Sequence, residues 1–340
     1  MSRFLLVLVH CLPALAVAQT ALRTDAAARA APKTVVAAST ATPQPKAAAR
    51  PAQAKSAKRK AVRRAAIPSE GMRAGLHKVD DPLDLRSSVA LVVDQDTDEV
   101  LFEKNPDAVL PIASITKLMT AIVTLDAELP LDEQLVVTRY DRTIDRVRSR
   151  LTPGVKLTRA QALQLALMAS ENHAAQLLAR TYPGGVPAFV EAMNAKAQML
   201  GMHDSHFADP TGLSPENRSS PGDLVRLVKA AYEHPEIREY STSVELSLPV
   251  GRRVVRYANT NRLTSRPEWD IGVQKTGYIS AAGRCLVMQA VIEGKRVVMV
   301  LLDSVGKYSR IGDAQRLRQW IAAHKAMPSA DANDSKTKPI

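Results

Sequence analysis

Cysteine and aromatic side chains are scarce in this 340-residue chain. It contains two cysteines, Cys11 and Cys285, and 13 Phe, Trp and Tyr residues in total. We expect the segment around Cys11 to be removed, so no disulfide is predicted within the mature chain, and a cysteine-rich zinc site is excluded by count. Few aromatic rings also mean few stacking platforms for bases, which argues against a nucleic-acid binder. The fold must therefore be held together by its core.

Negative charge is nearly absent from the first 78 residues of the chain. Residues 19–78 hold 13 Lys or Arg residues against Asp25 and Glu70, and Arg3 is a further cation. Because the whole chain carries a net charge of +12, residues 79–340 are neutral overall. A basic folded surface for nucleic acid is therefore not expected. The positive charge belongs to the N-terminal segment.

Long apolar runs are also lacking, with one exception at the start of the chain. Phe4–Ala18 is apolar and ends in Ala-Val-Ala before Gln19. A run of about 15 residues is short for a membrane span, and small residues at its end are typical of a cleavage site. The pattern predicts a secretory signal peptide at 1–18, cleaved near Ala18. An uncleaved membrane anchor is the alternative.

Residues 19–80 consist mainly of Ala, Pro, Lys and Arg. Such a segment buries too little apolar area to offset its ordering entropy, so it is predicted to be a disordered linker or arm. Its most basic part, 55–64, could contact anionic lipid or an envelope polymer, or could simply be a solvated tether. A second disordered tail is predicted at 327–340.

The sequence between 81 and 326 predicts one catalytic domain. Short apolar runs at 88–93 and 100–102 flank a polar turn, which predicts two strands, and a segment that is apolar nearly all round follows at 114–125. Helical spacing then dominates, before strand-like runs return after Glu245. Strands at both ends of a helical middle predict an α+β fold, with one sheet and an α-rich insertion at about 128–235.

Ser-x-x-Lys occurs three times, and only the sequence context distinguishes the three. The pattern at Ser335 lies in the polar tail, and the one at Ser304 follows an apolar strand into a glycine turn. Ser114 alone opens a buried helix, whose free N–H groups and positive dipole end favour a developing alkoxide. Lys117 returns to the same helix face. A lysine can take the proton of such a serine if burial or a second cation depresses its pKa.

Two further motifs supply complementary groups. Lys275-Thr276-Gly277 is the only Lys-Thr-Gly in the chain and ends the predicted strand 271–275, so it offers a second cation. Ser-Glu-Asn at 170–172 ends an apolar helix. Its serine hydroxyl can relay a proton, and its asparagine amide can hold a peptide group.

Together and in this order, these motifs form the Ser-x-x-Lys, Ser-x-Asn and Lys-Thr-Gly set of penicillin-binding proteins and serine β-lactamases. The surrounding segments resemble the low-molecular-mass D-alanyl-D-alanine peptidases, most closely the endopeptidase type known as penicillin-binding protein 7. The segments that carry this resemblance are 113–120, 167–172, 209–213, 259–263 and 275–287. It covers about residues 84–325 and implies a serine β-lactamase/transpeptidase-like fold, in which helices and an inserted α-rich subdomain flank an antiparallel sheet.

The resemblance implies catalytic roles for four residues. Ser114 would be the acylated nucleophile, Lys117 its general base, and Ser170 the proton relay to the leaving amine. The backbone N–H groups of Ser114 and Tyr278 would form the oxyanion hole, aimed at the charge that develops on the carbonyl oxygen.

The resemblance also implies how a substrate is held. Asn172 would hold the backbone of the peptidoglycan stem peptide. The anionic end of this peptide would be bound by Lys275, Thr276 and Gly277. β-Lactams would be covalent inhibitors, and the protein would act in the periplasm without a cofactor or metal. The middle motif departs from a common pattern, since Glu171 stands where many relatives carry Asp or Gly.

Several alternatives remain open from the sequence. The enzyme could be a carboxypeptidase that trims terminal D-alanine instead of an endopeptidase that cuts cross-links, or a penicillin-sensing or peptidoglycan-binding module without turnover. A class A β-lactamase is disfavoured, because no glutamate stands four residues before an asparagine after Asn172. His203, His206 and Asp209 are interpreted as a solvated loop instead of a zinc site. His173 is interpreted as a helix-surface residue.

Overall fold

The computed structural model of the chain describes residues 67–142, 149–251 and 253–325. The predicted signal peptide, the arm up to residue 66 and the tail at 327–340 lie outside these ranges. Within them, the strands are β1 (Ser87–Asp94), β2 (Val100–Lys104), β3 (Leu110–Pro111), β4 (Gln134–Val136), β5 (Lys156–Thr158), β6 (Arg218–Ser219), β7 (Glu245–Val250), β8 (Arg253–Ala258), β9 (Asp270–Ile279), β10 (Gly283–Ile292) and β11 (Lys295–Ser304). The helices are α1 (Glu70–Arg73), α2 (Lys117–Asp126), α3 (Arg159–Met168), α4 (Asn172–Arg180), α5 (Gly185–Met199), α6 (Pro221–Glu233), α7 (Pro235–Thr242) and α8 (Ser309–Lys325).

A five-stranded antiparallel sheet forms the centre of the domain, in the order β2-β1-β11-β10-β9. All eight residues of β1 are buried, which is expected for an inner strand that is covered on both faces. β9 is an edge strand of this sheet and carries the Lys-Thr-Gly motif.

Helices cover both faces of the sheet. On β1, Val89, Leu91 and Val93 join a core cluster with residues of α2 to α7, whereas Ala90 and Val92 join a second cluster with α8. This split follows from the strand geometry, because successive side chains point to opposite faces. The α+β prediction is confirmed, with the antiparallel sheet that the resemblance implies.

Local sequence signals start several of the helices. Thr158 and Gln161 form a capping box at the start of α3, in which each side chain accepts a hydrogen bond from the backbone N–H of the other residue. Ser220 caps α6, and Pro221 occupies its first turn. These caps fix the start of the helix that precedes the Ser-Glu-Asn motif and of a helix that packs against the sheet.

The domain begins before residue 81, where the sequence predicted the end of the disordered arm. Helix α1 docks on the domain, where the N–H of Glu70 donates to the carbonyl oxygen of Ala281 over 2.8 Å and its carboxylate pairs with Arg218. Gly71 packs so closely that a Cβ there would lie 2.2 Å from a carboxylate oxygen of Asp303. The prediction failed because backbone hydrogen bonds and an ion pair hold this segment, with little of the apolar burial that sequence patterns reveal.

Two other boundaries differ from the prediction. The helical middle continues through α7 to Thr242, past the boundary at 235, because Pro235 starts a new helix directly after α6. β9 continues to Ile279, so Lys275 lies inside the strand and not at its end. In the three described ranges, none of the helices has both the length and the apolar composition that crossing a lipid bilayer requires.

Candidate active site

Ser114 and Lys117 meet at the start of α2. Ser114 lies in a 3-10 turn, Ala113–Thr116, that leads directly into the helix, and its side chain is partly exposed. Lys117 is fully buried, and its Nζ lies 2.9 Å from the Ser114 Oγ. The predicted return of the lysine to the serine is therefore seen in the structure, with the amine in position to exchange a proton with the hydroxyl.

The amine of Lys117 has two other contacts. It donates to Oδ1 of Asn172 over 2.7 Å and to the carbonyl oxygen of Thr211 over 2.6 Å. Burial lowers the pKa of Lys117 from 10.5 to about 7, although the negative charges of Asp209 and Glu171 act in the opposite direction. A pKa near 7 leaves about half of the amine neutral at pH 7, and only the neutral form can accept a proton.

Ser170 lies on the other side of the cleft, between α3 and α4. Its backbone has a φ of +58°, in the left-handed region that side chains other than glycine rarely adopt. The Nζ of Lys275 donates to the Ser170 Oγ over 2.9 Å. The middle motif thus touches both lysines, through Asn172 on Lys117 and through Ser170 on Lys275.

Lys275 is also fully buried, and its Nζ donates to the carbonyl oxygen of Thr276. Burial and the nearby charge of Lys117 hold the pKa of Lys275 well below its usual value. The Thr276 hydroxyl lies 2.7 Å from the hydroxyl of Thr260. Thr260 is a contact of the motif that the sequence did not single out as functional.

Gly277 brings β9 against the turn that carries Ser114. A Cβ at this position would lie 2.9 Å from the Ile112 carbonyl oxygen, 3.1 Å from the Ala113 Cβ and 3.2 Å from the Ser114 nitrogen. The strand can approach the nucleophile so closely only without a side chain at this position. Tyr278 follows directly, so its backbone lies beside the same turn; its part in an oxyanion hole stays a prediction.

Comparison with known proteins identifies the family. Residues 76–306 match the family described as D-alanyl-D-alanine carboxypeptidase, Peptidase_S11. The chain belongs to this family. It is 46% identical over 250 residues to the D-alanyl-D-alanine endopeptidase of Escherichia coli K12, covering 72% of this chain and 80% of the relative. It is also 46% identical over 252 residues to the D-alanyl-D-alanine endopeptidase of Pseudomonas aeruginosa, covering 73% and 81%.

The fold of this S11 peptidase has solved counterparts. Penicillin-binding protein D2 from Listeria monocytogenes, in its cefotaxime-bound form, superposes with a TM-score of 0.63 at 29% identity. The alignment covers 71% of this chain and 98% of that one. The predictions of the family, of a serine hydrolase and of a penicillin-binding fold are confirmed.

A turn at 209–214 supports the Ser114 turn of this S11 peptidase. The carboxylate of Asp209 accepts hydrogen bonds from the N–H groups of Thr211, Gly212 and Ser214. At Gly212, where φ is +78°, a Cβ would lie 1.9 Å from the carbonyl oxygen of Ala113. The sequence marked Asp-Pro-Thr-Gly only as part of the resemblance, although this turn also supplies the carbonyl oxygen that Lys117 contacts.

Arg310, in the first turn of α8, is the residue that the sequence reasoning missed most completely. It is buried, and its Nε has no hydrogen-bond partner among the described residues. Its positive charge contributes to the low pKa of Lys275. Two buried cations near each other form a place that favours an anion, and nothing in the local sequence distinguishes Arg310 from other helix arginines.

His173 and Glu171 are buried or partly buried at the Ser-Glu-Asn motif. His173 is buried, and its Nδ1 lies 2.9 Å from the Leu151 carbonyl oxygen, so its interpretation as a surface residue is wrong. The side chain of Glu171 accepts a hydrogen bond from Ser149, and burial raises its pKa. Together they hold the segment at 149–151 beside the Ser-Glu-Asn motif. Among the described residues, no cluster of His, Cys, Asp and Glu is arranged to hold a metal ion.

The close approach of Gly277 leads to a prediction about Gly277→Ala. The added methyl group pushes β9 away from the Ser114 turn, so we expect acylation by a fluorescent penicillin to slow by at least about tenfold, with a stability loss of about 1–3 kcal/mol. Stopped-flow labelling and thermal unfolding measure the two effects. Gly222→Ala is the control, because Gly222 lies in helix α6 without a positive φ, and a Cβ there would meet only the Arg226 Nη1 at 3.8 Å, an ordinary contact. Wild-type acylation by Gly277→Ala would show that the close contact is not needed.

Proposed function

We propose that the chain is an exported D-alanyl-D-alanine endopeptidase that hydrolyses the D-alanyl cross-links of peptidoglycan and is acylated by β-lactams. The observation that carries this proposal is the contact between the buried amine of Lys117 and the Ser114 hydroxyl. The 46% identity to two proteins named D-alanyl-D-alanine endopeptidase favours the endopeptidase activity.

The first half of the proposed reaction forms an acyl-enzyme. The Oγ of Ser114 attacks the carbonyl carbon of D-alanine, and its proton passes to the neutral amine of Lys117. The backbone N–H groups of Ser114 and Tyr278 stabilise the negative charge on the carbonyl oxygen. When the carbon–nitrogen bond breaks, the proton held by Lys117 passes through Ser170 to the leaving amine, which makes Lys117 neutral again; the Ser170 hydroxyl is in contact with Lys275. An ester on Ser114 and a free amine result.

The second half restores the enzyme. Water attacks the ester carbon and gives its proton to the same base, and the Ser114 oxygen leaves and is protonated again. Asn172, Lys275, Thr276 and Gly277 hold the substrate on either side of the reacting bond. Arg310 adds positive charge where the anionic end of the substrate would lie.

The pKa of Lys117 predicts how acylation depends on pH. Because the base is the neutral amine, the acylation rate falls about tenfold for each pH unit below about 7 and levels off above it. Stopped-flow measurements with a fluorescent penicillin between pH 5 and pH 9 check this. A rate that stays constant down to pH 5 would contradict the assignment of Lys117 as the base.

Product analysis tests the activity itself. The protein is incubated with cross-linked muropeptide dimers and, separately, with pentapeptide monomers, and the products are identified by mass. Conversion of dimers to monomers is the expected result. Loss of only a terminal D-alanine would instead identify a carboxypeptidase, the activity that gives the family its description. Stable labelling of Ser114 without any product would favour the sensor alternative.

Export to the periplasm is part of the proposal and rests on the apolar run of 4–18 that ends in small residues. Envelope binding by the basic segment 55–64 is a further proposal, supported by its charge. Cell fractionation tests whether the protein is exported to the periplasm. For the second, loss of envelope binding in high salt and in a chain without residues 19–66 is expected, and binding that persists in both would contradict it.

A further inference from the structure

Positive charge extends from the cleft onto the surface beside β9. Three cationic side chains, Arg262, Arg284 and Lys307, lie over two exposed tyrosine rings, Tyr278 and Tyr308. These five residues together are called the cationic rim. The guanidinium carbon of Arg284 is 4.5 Å from the centre of the Tyr278 ring. The Tyr308 ring is approached by Arg262 at 5.5 Å and by Lys307 at 5.2 Å. Tyr278 and Tyr308 are 56% and 52% exposed, so both rings are open to a ligand.

The three cations of the rim have no acidic partner in the described part of the chain. None of the ion pairs found there includes Arg262, Arg284 or Lys307. Some other surface arginines are paired, such as Arg296 with Asp96 and Arg256 with Glu245. A group of like charges without counter-charges raises the local potential and attracts anions.

The cationic rim is continuous with the active site. Tyr278 directly follows Gly277 on β9. Arg284 lies opposite Tyr278 on the neighbouring strand β10. Arg284 also acts on the buried Arg310, since burial together with the charge of Arg284 lowers the pKa of Arg310. Arg310 in turn lies close enough to Lys275 to affect its charge. Positive charge therefore runs outward from the place where the anionic end of a substrate would lie.

We propose that the cationic rim binds further carboxylates of the leaving peptide, so that this peptidase favours cross-linked dimers over pentapeptide monomers. The inference rests on the proposed function. When a terminal residue is trimmed, the leaving group is a single D-alanine whose one carboxylate is held at Lys275 and Thr276. When a cross-link is cut, the leaving group is a peptide, which carries additional carboxylates at its own terminus and on its acidic residues. The cations of the rim are opposite to those groups in charge, and they lie next to the Lys-Thr-Gly motif that would hold the first carboxylate.

The test compares two substrates in three proteins. We measure kcat/KM for cross-linked dimers and for pentapeptide monomers with the wild type, with the double variant Arg262→Gln and Arg284→Gln, and with the control Arg296→Gln. The expected result is that the ratio of dimer to monomer kcat/KM falls about tenfold in the double variant, mainly through the KM for dimers, because two partly exposed charge contacts are lost. Arg296→Gln changes an arginine that is paired with Asp96, so it leaves the ratio unchanged.

Two more measurements separate the rim from a general effect. Arg284→Lys keeps the charge, so its dimer preference should lie much closer to that of the wild type than to that of the double variant. Raising the salt concentration should reduce the dimer preference of the wild type more than that of the double variant. An unchanged ratio in a double variant that unfolds at the wild-type temperature would overturn the inference while leaving the endopeptidase proposal intact. Failure of the wild type to cut dimers at all would instead overturn the proposed function.

Discussion

Replacing Ser114 with alanine is expected to abolish penicillin labelling and muropeptide hydrolysis together. Both reactions require an ester on the same oxygen, and loss of a catalytic serine typically costs a factor on the order of a million in rate. Lys117 keeps its contacts with Asn172 and Thr211, so the fold should be retained. Fluorescent gels, intact-protein mass spectrometry and product analysis measure the effect.

Two other serines provide matched controls for this experiment. Ser304→Ala and Ser335→Ala alter the other Ser-x-x-Lys patterns and should leave labelling and hydrolysis intact. Ser304 lies at the end of β11, where its hydroxyl donates to the Ser309 hydroxyl over 2.9 Å. Ser335 lies outside the described residues. Labelling that persists in Ser114→Ala would show that the nucleophile is elsewhere.

Lys117→Ala is expected to slow acylation by about a hundredfold to ten-thousandfold, which is the range for loss of a general base. The serine would remain in its turn, but no other side chain among the described residues lies within hydrogen-bond distance of its hydroxyl to take the proton. The first-order acylation rate constant at saturating β-lactam is the quantity to measure, because it separates the chemical step from binding.

Lys117→Arg tests whether proton transfer or positive charge matters at this position. Arginine keeps the charge but stays protonated at all working pH values, so it cannot act as a base. We expect it to be about as slow as the alanine variant. Acylation near the wild-type rate in Lys117→Arg would assign an electrostatic role to Lys117, and Ser170 would then need to be considered as the base.

The central features of the site could be predicted because each motif is short and lies in, or directly beside, a helix or strand. Ser114 and Lys117 are three residues apart at a helix start, and their contact follows from helix geometry alone. The contact between Ser170 and Lys275 joins residues 105 positions apart. Spacing contains no information about that contact. The order of the motifs and the family resemblance assigned both residues to one site but did not predict that they touch.

Other features could not be predicted, for physical reasons that differ from case to case. Helix α1 docks through backbone hydrogen bonds and an ion pair, and these leave no apolar pattern in the sequence. His173 looks like a polar residue on a helix, and its burial depends on the Leu151 segment that packs over it. Arg310 is functional in our interpretation only because the fold places it near Lys275. The docking of α1, the burial of His173 and the position of Arg310 all depend on contacts between residues far apart in the sequence.

The left-handed backbone at Ser170 and Ala113 places conformational strain next to the reacting groups. Ala113 has a φ of +48° and lies between the glycines at 212 and 277, which approach its turn from two sides. Conformations of this kind each cost about 1–3 kcal/mol, and the rest of the domain must offset them when the chain folds. The orientation of the nucleophile is thus set during folding, so little reorganisation is left for the chemical step. Substitutions that relieve this strain at positions 113 and 170 would therefore stabilise the fold, but they would alter the backbone that orients the catalytic groups.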